Sequence, residues 1–214
     1  MQKNVVAGML ADVYAVLGNA LLTVPSDPEL PYLEPATWEG FPVELSNEDI
    51  AAGLEQIGRY LAAVQGLCDN GREKTSLEFT KLFVGPPSPA AAPWESLNRG
   101  GEDAVGYGKP ALEMVRLLEG CGLEVSNENN QYPDHMGIEL LFLSYLCAQQ
   151  AAGAAEVANA DVCAFMEDHP LGWVAALRGS VEEAYSDGFY AGLLLLVEGT
   201  LRWHRDALDA ENAA

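Results

Sequence analysis

The chain has 214 residues, 49% apolar and 20% charged, which makes it globular and long enough to bury a core. Lys and Arg number 11 against 32 Asp and Glu, a formal net charge of −21, so nucleic acid and anionic membrane surfaces are poor partners and a basic peptide is a good one. Four scattered cysteines (Cys68, Cys121, Cys147, Cys163) without a C-x-x-C pair exclude a disulfide framework and read as reduced thiols, most of them buried.

Taken in order, the segments read as helices. Residues 5–22 place Val6, Met9, Leu10, Val13, Leu17 and Leu21 three and four apart, and Pro25 ends the run. Five prolines between 25 and 43 predict a loop with at most one short helix. Ser46 is the expected cap of the next helix, with Glu48 and Asp49 in its acidic first turn and Ile50, Leu54, Ile57, Leu61 and Val64 along one face. Asn70-Gly71 reads as a break before a helix over 72–84, in which Leu77, Leu82 and Phe83 are the expected core. Residues 85–108 lack helical periodicity, and a proline-rich loop of that length in a compact chain is usually functional.

Lys109-Pro110 opens a helix to residue 119, stopped by Gly120-Cys121-Gly122. After a polar loop, Pro133 and Asp134 suit the first turn of a strongly apolar helix that breaks near Gly153. Residues 156–168 form another helix, His169-Pro170 begins the next, and Asp187 is the expected cap of the last. No segment alternates like a strand. The predicted fold is therefore an all-α bundle of about nine to eleven helices with a long central loop. It is expected to be one domain over 1–214, divisible at 1–108 and 109–214.

The chemistry of the side chains argues against turnover. His135, His169 and His204 are more than thirty residues apart, so no metal-binding His pair exists in the sequence, and His135 with Glu139 on one helix face is a weak ligand pair. There is no P-loop and no G-x-S-x-G. The expectation is a protein with no catalytic residues, no metal and no cofactor. From spacing alone, Asp134 and His135 are a helix cap with a local His135–Glu139 contact, or the mouth of a site.

Two stretches carry a family resemblance. Pro133-Asp134-His135, an apolar residue and Glu139-Leu140 within an apolar helix resemble the signature of the TorD/DmsD chaperones, with Gln131 where that pattern usually has glutamate. Leu82-Phe83-x-Gly85-Pro86, then Pro93-Trp94-x-Ser96, resemble the same family's loop, and Phe165, His169, Trp173, Phe189 and Tyr190 its C-terminal half. The resemblance implies a cytoplasmic, non-enzymatic chaperone that holds the twin-arginine signal peptide and the apo catalytic subunit of a molybdenum-containing oxidoreductase until its cofactor is inserted. It also implies a client-binding surface of Pro93, Trp94, Ser96, Gln131, Pro133, Asp134, His135 and Glu139, with Phe83, Gly85 and Pro86 supporting the loop. In this reading Trp94 supplies apolar contact, Asp134 a negative charge, and His135 a donor whose charge responds near neutral pH.

Charge distribution agrees with such a partner. Residues 117–177 contain no Lys or Arg, and residues 26–55 contain eight acidic side chains and no basic one. No nucleic acid and no membrane insertion are expected, since the longest charge-free apolar run near the C-terminus, 188–197, is far short of a span. The chain is expected to be a monomer or a domain-swapped homodimer. Alternative readings are an assembly factor that binds the folded catalytic subunit, and a weak guanine-nucleotide-binding protein.

Overall fold

A computed structural model describes residues 2–26, 31–42, 47–65, 70–99, 104, 106–125, 131–153 and 157–212. Among these residues the chain is all-α. The helices are α1 Gln2–Leu22, α2 Pro35–Glu39, α3 Glu48–Gln65, α4 Asn70–Phe79, α5 Glu95–Arg99, α6 Lys109–Gly120, α7 Met136–Ala151, α8 Asn159–Asp168, α9 Val174–Tyr185 and α10 Phe189–Asn212. They group into two compact units that interleave along the sequence: Met1–Leu22 with Pro93–Trp173, and Thr23–Ala92 with Val174–Ala214.

In the first unit α1 packs along α7. Leu10, Val13, Leu17 and Leu21 of the expected α1 stripe are buried, joined by Tyr14, whereas Val6 is exposed and Met9 half-buried near the helix start; nearly every side chain in the first half of α7 is buried. The two helices approach closely where each carries glycine. A Cβ on Gly18 would lie 2.7 Å from the Gly137 carbonyl oxygen, and one on Gly137 would lie 2.6 Å from Leu22. Ser144 fixes the register by donating to the Ala11 carbonyl at 2.7 Å. By length and composition α1 could cross a membrane over Asn4–Leu22; in this fold its apolar stripe lies on α7. α8 adds Val162, Phe165 and Met166 to this core, with Phe165 4.9 Å from the Phe142 ring.

In the second unit α10 runs against α3, and glycines again set the spacing: a Cβ on Gly53 would meet the Leu196 backbone at 2.7 Å. Asn47 caps α3, its Oδ1 accepting the N–H groups of Asp49 (2.9 Å) and Ile50 (3.2 Å). Ser46, the expected cap, lies outside the described residues, as does Cys68. The expected break at Asn70-Gly71 is instead the start of α4. Leu77 is 56% exposed, because Thr75, Glu78, Phe79, Leu82 and Phe83 form the inward stripe. A π-helical turn over Thr80–Val84 ends that run, with Gly85 N–H donating to the Thr80 carbonyl. Gly85 has φ +91°, a conformation that favours glycine. The cap expected from Asp187 comes from Glu78, whose Oε1 accepts Tyr190 N–H at 3.0 Å at the head of α10. Between 25 and 43 the structure holds α2 and a short 3₁₀ turn at Pro31–Leu33.

Candidate functional site

The two motif stretches meet in the first unit. Pro93 carbonyl accepts Met136 N–H at 2.9 Å and Glu95 N–H donates to the Asp134 carbonyl at 2.9 Å, so Trp94 and His135 pair as an isolated antiparallel bridge. Asp134 is fully buried, and its Oδ2 accepts the Ser96 N–H (2.8 Å) and the Ser96 hydroxyl. The same hydroxyl oxygen accepts Gly108 N–H at 2.9 Å, immediately before α6. One carboxylate thus fastens the start of α5 and the start of α6 to the entrance of α7.

This corrects two details of the sequence reading. α7 begins at Met136 and not at Pro133, and its cap is His135, whose Nδ1 accepts Gly137 N–H at 3.0 Å while its carbonyl accepts Ile138 and Glu139 N–H. The ring is 1% exposed, and burial lowers its pKa to about 3, so it is a neutral acceptor at physiological pH and not a charge that responds near neutrality. Pro93, Ser96, Asp134, His135 and Glu139 are all buried, whereas Trp94, Gln131 and Pro133 are partly accessible. Trp94 lies 5.6 Å from the Tyr132 ring and Tyr132 5.7 Å from Tyr107, an aromatic rim in which Tyr107 and Tyr132 are 47% and 37% exposed. Phe83, Gly85 and Pro86 belong to the other unit.

Beneath the bridge lies an acidic cluster that sequence reasoning did not assemble. Glu95, the first residue of α5, is 1% exposed; its Oε1 accepts Arg99 Nη1 at 2.6 Å and its Oε2 lies 2.8 Å from His169 Nδ1. Glu139, fully buried, accepts Trp173 Nε1 at 3.0 Å on Oε2. Oxygens of both carboxyls and a ring nitrogen of His169 lie within 4.8 Å of one another. Burial first, and the neighbouring Glu95 second, push the Glu139 carboxyl well above the usual carboxylate range. The raised pKa favours a protonated, neutral Glu139, which lets the two buried carboxyls lie together; its Oε1 has no hydrogen-bond partner among the described residues. Two carboxylates and an imidazole are also a donor set for a divalent cation. In the structure Glu95 Oε1 is taken up by Arg99, and Glu95 Oε2 by His169 Nδ1.

Glu95, Ser96 and His169 also floor a cleft of about 770 Å³ walled by α5, α6 and the end of α8. Arg99, Lys109 and Arg116 stand around it with Glu113 and Asp168, and Lys109 pairs with Glu113 at 3.1 Å. The Asp134–Ser96–Gly108 chain of hydrogen bonds holds the two walls at their near ends.

Residues 46–178 match the nitrate reductase delta subunit family, a range that contains the bridge, the acidic cluster and the cleft. The chain belongs to this TorD-like family. It is 33% identical over 135 residues to "Chaperone protein TorD" of Photobacterium profundum, an alignment covering 59% of this chain and 62% of that relative. It is 27% identical over 199 residues to the protein of the same name in Escherichia coli O157:H7, covering 90% and 95%. A third, from Vibrio cholerae serotype O1, is 27% identical over 136 residues, covering 62% and 61%. The chain thus spans less than two thirds of the Photobacterium and Vibrio relatives and nearly all of the Escherichia one. In this TorD-family chain the Pro93-Trp94-x-Ser96 and Pro133-Asp134-His135 motifs are the two sides of one hydrogen-bonded junction, and the residue between Trp94 and Ser96 is the buried acid Glu95.

Proposed function

We propose that this TorD-family protein is a cytoplasmic maturation chaperone, without turnover of its own, for a molybdenum-containing oxidoreductase. It captures the dibasic twin-arginine signal segment of the apo catalytic subunit and releases it for export once the cofactor is in place. The observation that carries the reading is the cleft floored by the buried carboxylate of Glu95 in a chain of net charge −21. A cationic segment is drawn to such a chain, and the partly exposed rim of Trp94, Tyr107 and Tyr132 offers apolar contact beside it. Gln131 and Pro133 sit at that rim, while Pro93, Ser96, Asp134, His135 and Glu139 act from beneath by fixing its geometry.

Titration of the chain with a fluorescent signal peptide of a molybdoenzyme tests this. Affinity is expected to fall as salt rises, mainly through slower association, and to fall further when both arginines become alanine. Failure of the isolated peptide to bind while the folded catalytic subunit does bind would replace this reading with that of an assembly factor.

A further inference from the structure

Arg99 occupies a seat built from three parts of the first unit. Its Nη1 donates to Glu95 Oε1 and to the Asp168 carbonyl, both at 2.6 Å. Asp168 is the last residue of α8, so its carbonyl belongs to the negative end of that helix. The third part is the backbone of Gly172, against which the flat guanidinium lies: a Cβ there would be 2.8 Å from Nη1 and 3.1 Å from Cζ, and the arm would have to shift. A buried carboxylate, a carbonyl at a helix C-terminus and a glycine platform suit a planar, delocalised cation better than an ammonium.

The resident holds this seat loosely. Only Nη1 is engaged; Nε and Nη2 of Arg99 make no hydrogen bond among the described residues, although guanidinium grips a carboxylate best through two nitrogens. Its side chain is 43% exposed while that of Glu95 is 2% exposed, and both line the open cleft. The arm comes from α5, a helix of five residues. Glu95 is held independently by His169 at 2.8 Å, so the acceptor keeps its place when the resident leaves.

We propose that this seat is an arginine-binding site, filled in cis by Arg99, which yields it to an arginine of the client's dibasic segment. The inference rests on the peptide-capture reading above and adds the subsite and its regulation: Arg99 is a competitor that sets the threshold for capture.

The test uses Arg99→Ala and Arg99→Lys in the full chain, with Nα-acetyl-arginine-N-methylamide and its lysine counterpart as probes. The arginine probe is expected to bind Arg99→Ala and raise its thermal midpoint, the lysine probe to do neither, and Glu95→Gln in that background to abolish the effect. The twin-arginine peptide is expected to bind Arg99→Ala about tenfold more tightly than the parent. Arg99→Lys, which keeps a charge beside Glu95, should give a smaller gain in the same direction and covers the case in which Arg99→Ala folds poorly. Absence of arginine-selective binding to a folded variant overturns the seat. Probe binding without any gain in peptide affinity overturns the exchange while leaving peptide capture standing. If the peptide binds no form of the chain, the capture reading fails, and with it the client exchange, even where the probe still fills the seat.

Discussion

Asp134→Asn asks whether the motif aspartate serves the ligand or the scaffold. In the structure its Oδ2 takes two hydrogen bonds from Ser96, and its other oxygen has no partner among the described residues. Asparagine keeps the shape and one acceptor oxygen. It makes both bonds neutral, and charge-assisted bonds are roughly twice as strong as neutral ones, so about 1 kcal/mol is lost from each. Its amide nitrogen then lies where no acceptor is available, at a cost of about 1–3 kcal/mol, partly offset because a buried charge has been removed. The net expectation is a loss of about 3 kcal/mol, or a fall of about 6–12 °C in the midpoint for a chain of this size. Thermal melts followed by circular dichroism measure it, alongside peptide titration well below the midpoint. Ser96→Ala should reproduce much of the effect, and the double variant should lose clearly less than the sum, because the two residues share the same bonds. A midpoint unchanged within about 1 kcal/mol, together with lost peptide binding, would refute the scaffold role and return Asp134 to direct contact with the client.

Two further outcomes follow from the same geometry. Because the fold raises the Glu139 pKa, the folded state binds that proton more tightly than the unfolded chain; stability is fullest below the ordinary carboxylate range and falls as pH rises from about 4.3 towards the raised value. Glu139→Gln, which can still accept from Trp173 and donate towards Glu95, should gain stability relative to the parent across that window; a pH-independent difference in urea midpoints would refute a protonated Glu139. Gly137→Ala should destabilise by about 1–3 kcal/mol, since its Cβ meets Leu22 and the Gly18 carbonyl, and a neutral melt would show that α1 and α7 can separate without cost.

Much of the helical architecture was legible because buried stripes repeat at three and four residues, as in α1, α3 and α10. Local rules failed where the deciding partner is distant in sequence. Asp187 is well placed to cap α10, yet the carboxylate that does so comes from Glu78. Leu77 has the right hydrophobicity for a core position, but the inward face of α4 passes through Glu78 and Phe79 instead. α5 is a single turn, too short to show a period. At the site, the two motifs could be read and the structure brings them together, although as a buried junction and not as an exposed array. Glu95, Arg99 and Asp168 were not foreseen as a group, since Arg99 and Asp168 are 69 residues apart and only the fold makes them neighbours. The signal available was an acid between Trp94 and Ser96, in a position the motif leaves open.

The interleaving of the two units bears on how the chain is made. α1 is complete at Leu22, but α7, the helix it packs on, starts only after the 113 residues from 23 to 135. At about 5–20 residues per second, that is a wait of roughly 6–23 s on the ribosome. Through that interval α1 has the length and hydropathy of a membrane segment and no partner for its stripe. In the second unit α3 waits still longer for α10. Each unit therefore closes only when a helix far along the chain has been made, and the early helix of each pair keeps its apolar stripe uncovered until then.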